Sequence, residues 1–149
     1  MCDAGVQTLY TAPGPDGAPA YAQWLVTARD QHLLHSHRPG RYPMLGPDDV
    51  LLEGLYTFSR FRRAGVTRNG MAQLLHVAPA RGARTAFTYV GAENAPALRS
   101  CAHVGFDVDH VRMNIRRLGL RWSVVRQIDE SSRQLWIRAT SPQRPGLLQ

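Results

Sequence analysis

The residues of this chain best suited to chemistry are Arg62-Arg63-Ala64-Gly65-Val66-Thr67, because of what flanks them. Ahead lies an apolar run, Leu51 to Phe58, that reads as a strand; behind, Arg68 to Ala80 carries Met71, Leu74, Leu75 and Ala78 at helical spacing. A glycine-containing turn therefore delivers a strand into the start of a helix. The first N–H groups of a helix lack intrahelical acceptors and the dipole there is positive, so such a turn can hold a phosphate or pyrophosphate. Gly65 lets the backbone approach closely, and Arg62, Arg63 and Arg68 add positive charge.

Other side chains stand out by type. Glu53 interrupts the apolar strand, and strict alternation puts Leu51, Glu53, Leu55 and Thr57 on one face. A carboxylate on a partly buried face suits a general base acting through water; the structural alternative is a Glu53 paired with an arginine. Cys101 falls on the inner face of a helix, where a small residue serves packing more often than chemistry. His32-x-x-His35-x-His37 has only Asp30 nearby and lacks the tight ligand spacing of metal sites, so no metal is expected. Arg112, Arg116, Arg117 and Arg121 read as a solvated face or a site for an acidic partner. Aromatic residues are too sparse there for base stacking, and nucleic acid is not an expected partner.

The elements that must position these residues follow in order. Val6 to Thr11 and Ala20 to Val26, separated by Pro13-Gly14-Pro15-Asp16-Gly17, form a predicted hairpin. A short helix is expected over Ala28 to His35. From His37 to Asp49, two glycines and three prolines predict a loop, either functional or a surface excursion. After the central strand, turn and helix comes a second strand, Ala83 to Val90, and this strand–helix–strand order favours parallel neighbours. Pro79 should shorten or bend the intervening helix. Asn94 is a good N-cap for a helix that tolerates Pro96 in its first turn and ends at Gly105. Asp107 to Leu118 and Leu120 to Ile128 pair around Gly119, Gln134 to Ala139 is a third candidate strand, and residues 141–149 read as a frayed tail.

At 149 residues and 44% hydrophobic, the chain fits one domain with one sizeable core, spanning residues 1–140. The basic residues number 18 against 11 acidic, a formal charge of +7, and every basic residue is arginine, which suits phosphate partners or reflects genomic base composition. Two cysteines without CxxC spacing argue for a reducing compartment, and no apolar run is long enough to span a bilayer. A cytoplasmic protein with no membrane partner is the expectation.

Two motifs together resemble the GNAT superfamily of acyl-CoA-dependent N-acyltransferases, over roughly residues 50 to 118. Arg62 to Thr67 resembles its Arg/Gln-x-x-Gly-x-Gly/Ala turn, departing only at Thr67. Asn94-x-x-Ala97 through Gly105-Phe106 resembles its later motif, Asn-x-x-small-x-x-x-Tyr-x-x-x-Gly-Phe, with Cys101 in the tyrosine place. The resemblance implies a mixed α/β sheet whose acyl-CoA-binding core spans residues 52–106, and whose central strands splay near Phe58 and Val90. It also implies a chain shortened at the front by the family's first strand and first two helices.

By the same resemblance, the pantetheine of acetyl-CoA or another acyl-CoA would pair with the backbone of Thr57, Phe58 and Ser59. Its pyrophosphate would meet the N–H groups of Arg63, Ala64, Gly65, Val66 and Thr67, with Arg62 facing the phosphates and Asn94 holding the pantetheine side. A primary amine of a small molecule or protein would attack the thioester directly, without a metal. Glu53 would be the base, and the family's proton donor would be vacant or pass to Cys101, Ser100 or water. The alternative is a catalytically inactive module that binds CoA or an acidic partner. A homodimer is open to either.

Overall fold

The computed structural model describes residues 8–37 and 39–133. These fall into two compact units that divide between Gly91 and Ala92. The expected strand at Gln134 to Ala139, the tail over 141–149, and Val6 and Gln7 lie outside the described residues.

The first unit is a four-stranded mixed sheet in the order β1 (Leu9–Pro13), β2 (Pro19–Thr27), β3 (Asp49–Thr57), β4 (Thr85–Thr88). β1, β2 and β3 run antiparallel in sequence, and β3 and β4 are parallel. The Pro-Gly-Pro-Asp-Gly stretch makes the first reversal: Gly14 N–H donates to the Ala18 carbonyl at 2.7 Å, Ala18 N–H donates to Asp16 Oδ1 at 3.1 Å, and Gly17 takes φ +77°. Helix α1 (Gln31–His37) starts later than Ala28 because Thr27 and Asp30 form a turn first, with Asp30 N–H donating to the Thr27 carbonyl at 3.0 Å.

Val50, Leu51 and Leu52 are all buried, as a strand covered on both faces requires. On one face, α2 (Val66–Val77) lays Gly70 against the ring of Tyr21. On the other, Val26, Leu34, Tyr42, Leu45 and Leu51 form a buried cluster flanked by Trp24, Ala28, Leu33 and Phe87. Tyr42 and Leu45 belong to the predicted loop, so that segment packs into the core and is more than a surface excursion. Pro79 has the expected effect: α2 ends at Val77, and a short 3-10 helix, Ala78–Arg81, follows, closed by Gly82 at φ +83°.

Two features of β3 differ from the sequence expectation. Trp24 pairs with Glu53 and Ala22 with Tyr56, so Gln23 alone spans the two residues Gly54 and Leu55. This is a bulge, and Gly54 supplies its positive φ, +64°. The extra residue reverses the side-chain alternation. Leu51 and Glu53 face the cluster around Val26, whereas Thr57 pairs with Tyr21 on the α2 face. The second feature is that β3 and β4 pair only from Asp49/Thr85 to Leu52/Thr88. They part five residues earlier than Phe58, beside the bulge.

The second unit contains α3 (Ala95–His103) and a hairpin of β5 (His110–Arg117) with β6 (Leu120–Gln127). Asn94 caps α3 through its Oδ1, which accepts from Ala97 N–H at 3.3 Å, and Gly105 ends it at φ +95°. Leu118 and Gly119, both at positive φ, make the tight hairpin turn. Among the described residues no helix is long and apolar enough to cross a membrane.

Helix propensity and sterics oppose each other at Gly70. A Cβ there would lie 2.7 Å from the ring of Tyr21, which is buried and held by its hydroxyl's hydrogen bond to Gln23. Alanine gains about 1 kcal/mol of helix propensity, while overpacking a fixed core costs about 1–3 kcal/mol. Gly70→Ala is expected to lower the urea midpoint; a raised midpoint would show that Tyr21 yields.

Candidate active site

After Thr57 the chain leaves the sheet through a 3-10 turn, Ser59–Phe61, and reaches α2 by way of Arg63 (φ +66°) and Gly65 (φ +75°, ψ 0°). Asn69 N–H donates to the Gly65 carbonyl at 3.0 Å and closes the first turn. The N–H groups of Val66, Thr67 and Arg68 therefore have no intrahelical acceptor. Among the described residues no side chain caps this end, and no acidic residue stands in the first turn, so its positive pole is uncompensated there. A Cβ on Gly65 would meet Arg68 Nη2 at 3.7 Å, which brings one guanidinium to the same turn.

Two contacts fasten the turn to the strand. Thr57 Oγ1 and Thr67 Oγ1 are 2.7 Å apart, and Arg62 Nε donates to the Thr57 carbonyl at 3.2 Å. Arg62 thus braces the turn as well as adding charge, and the Thr57 carbonyl already has a partner. Phe58 N–H donates to the Ala20 carbonyl at 3.1 Å, while Ser59 and Arg63 are exposed.

Beyond the last paired residues of β3 and β4 stand Glu53 and Tyr89. Tyr42, carried in by the proline-rich loop, bridges them. Its hydroxyl donates to Glu53 Oε1 at 2.9 Å, and its ring meets that of Tyr89 edge-on, centroids 6.2 Å apart at 69°. The loop is fixed by Gln31, whose side-chain amide donates to the Leu45 carbonyl at 3.3 Å and accepts from Leu45 N–H at 2.8 Å. Trp24 of β2, paired with Glu53, keeps its indole N–H buried without a partner among the described residues. Among the described residues no arginine forms an ion pair with Glu53. Tyr42 was not a candidate in the sequence; the available signal was a lone tyrosine in a turn-rich loop, three residues ahead of an equally apolar Leu45.

Asn94 and Cys101 belong to the second unit. The side-chain oxygen of Asn94 is engaged in capping α3, and Ser100 Oγ donates to the Pro96 carbonyl at 3.0 Å. Cys101 is buried, and burial pushes its thiol from an ordinary 9.0 up to about 11. It stays protonated through neutral pH and is no nucleophile there. Among the described residues no group of three or more His, Cys, Asp or Glu side chains could hold a metal.

The model of the acetyltransferase (GNAT) family matches residues 20–106. The chain belongs to this family. GNAT structures share its fold: a protein provisionally described as a phosphinothricin N-acetyltransferase (TM-score 0.55, 20% identity, covering 82% of this chain and 72% of that one). A second is AAC(6')-Iy bound to a bisubstrate analogue, CoA-S-monomethyl-acetylneamine (TM-score 0.53, 21% identity, 73% and 68%). A third is YycN of Bacillus subtilis, provisionally described as an acetyltransferase (TM-score 0.55, 18% identity, 74% and 61%). No curated protein matches. At these identities the likeness to solved structures establishes the fold alone, and the family match supports acyl transfer in general.

The Cys101 environment sets an alkaline limit. Below pH 9.0 the thiol is neutral in both folded and unfolded chains; between 9.0 and about 11 the unfolded chain ionises first, so native stability falls as pH rises through that window. Iodoacetamide at pH 8 should label Cys101 slowly in the native protein and rapidly in urea, read by residue-resolved mass spectrometry. Equal rates would contradict its burial.

Proposed function

We propose that the protein transfers an acetyl group from acetyl-CoA to a primary amine by direct attack on the thioester. The observation that carries this reading is the combination, within one unit, of an uncapped helix end and an early parting of two parallel strands. The parted edge of β3 leaves backbone polar groups for an amide-rich pantetheine arm. The pyrophosphate would take the N–H groups from Arg63 to Thr67, assisted by Arg62 and Arg68. A GNAT neighbour in complex with CoA supports that choice of donor.

In this mechanism, Glu53 takes the proton of the attacking amine as its lone pair adds to the carbonyl carbon. N–H donors along the parted edge would stabilise the oxyanion, and collapse of the tetrahedral intermediate expels the CoA thiolate. That thiolate is protonated by solvent. Described neighbours that act on phosphinothricin or an aminoglycoside favour a small-molecule amine as acceptor. One domain over residues 1–140, a cytoplasmic setting and a homodimer belong to the same proposal. The second reading, a module that binds CoA or an acidic partner without turnover, is favoured by Cys101 where the family has tyrosine.

Acetyl-CoA at about 100 times its dissociation constant should stabilise the native state by roughly 2.7 kcal/mol, seen as a raised melting temperature, whereas adenosine should not. Gly65→Glu, which blocks close approach and adds a like charge, should abolish the shift. Glu53→Gln should keep the shift and lower amine acetylation about 100-fold or more. Full turnover by Glu53→Gln removes Glu53 from the mechanism. A CoA shift without turnover on polyamines, aminoglycosides, amino acids or lysine peptides selects the binding module.

A further inference from the structure

Tyr42 occupies the point where β3 and β4 part, and three independent constraints hold it there. Its ring is in the buried cluster with Val26, Leu34, Leu45 and Leu51; its edge rests on Tyr89; and its loop is clamped by the Gln31 amide on both backbone groups of Leu45. The hydroxyl is thereby aimed at one oxygen of Glu53, Oε1, at 2.9 Å. The other carboxylate oxygen has no protein partner among the described residues. Merely satisfying a buried phenol would need only a neutral acceptor, and a glutamine at 53 would supply one at lower desolvation cost. The charge at Glu53 is therefore retained for something other than Tyr42.

We propose that Tyr42 is a positioning residue, whose hydrogen bond to Glu53 Oε1 fixes the carboxylate so that Oε2 faces the gap between the strands, where it meets the attacking amine or its bridging water. This rests on the reading of Glu53 as base and extends it to the loop over residues 39–48, which becomes the wall of the acceptor end. The hydroxyl acts on the orientation of the base and makes no contact with acetyl-CoA. A long, half-buried side chain with three rotatable bonds would otherwise sample several rotamers, and geometry lost by about 1 Å can cost two orders of magnitude in rate.

The test is Tyr42→Phe, which keeps the ring and its contacts and removes only the hydroxyl, measured alone and in the Glu53→Gln background with the amine panel. The expected result is a kcat lowered roughly 10-fold, the scale of one hydrogen bond to a charged group. KM for acetyl-CoA and the CoA-induced rise in melting temperature should be unchanged, and the Glu53→Gln variant should show no further loss. A wild-type kcat in Tyr42→Phe, with or without a lowered melting temperature, overturns the inference and leaves Glu53 as base if Glu53→Gln is still impaired. An equal loss in both backgrounds also overturns it, since Tyr42 would then act independently of Glu53. A wild type without turnover on any amine removes the base reading and this inference together.

Discussion

β3 has strand partners on both edges only as far as Leu52; from Glu53 to Thr57 it keeps β2 and loses β4. An unpaired row of amides must reach water or another partner, since each one stranded from both forfeits on the order of 1–3 kcal/mol. The fold meets that constraint in two ways. The bulge at Gly54 strengthens the local twist of the strand where the partner is lost, and the Thr57 carbonyl is taken by Arg62. What remains is a short polar edge beside an uncapped helix end, in a protein carrying a formal +7 charge. An extended ligand with amides at one end and phosphates at the other complements both.

The bulge also decides which side of the sheet each function lies on. Because alternation reverses at Gly54, Thr57 points toward α2 and ties the turn before that helix to the strand through Thr67, while Glu53 points to the opposite face, toward Tyr42 and Trp24. A regular strand would have put Glu53 and Thr57 together. One extra residue therefore separates the face that carries the turn before α2 from the face that carries the carboxylate.

Features written in local sequence were legible. The Pro-Gly-Pro-Asp-Gly reversal, the Asn94 cap, the break at Pro79 and the glycine at the mouth of α2 each depend on neighbours a few residues away, and each is found where the residues indicate. The bulge was not legible, because Gly54 in an apolar run is equally a tolerated strand glycine, and only the register against β2 reveals that Gln23 spans two residues. For the same reason the strands were expected to diverge near Phe58 and Val90, whereas pairing ends at Leu52 and Thr88. Tyr42 was hidden by its loop composition: prolines and glycines predict irregular backbone, and they are silent about an irregular segment that buries a tyrosine and a leucine. An arginine partner for Glu53 was a reasonable expectation from composition. The structure satisfies one of its oxygens with a phenol from eleven residues upstream instead.

The central claim is that the unpaired edge of β3 and the N-terminus of α2 are two parts of one acyl-CoA site. Amide hydrogen exchange of the whole chain with and without acetyl-CoA tests this most directly, because it reads the backbone groups at issue and needs no acceptor. The account predicts slowed exchange at Gly54 to Ser59 and at Arg63 to Arg68 together, with the β1–β2 hairpin unchanged. Protection confined to one of those two segments, or lying elsewhere while acetyl-CoA is bound, would contradict it.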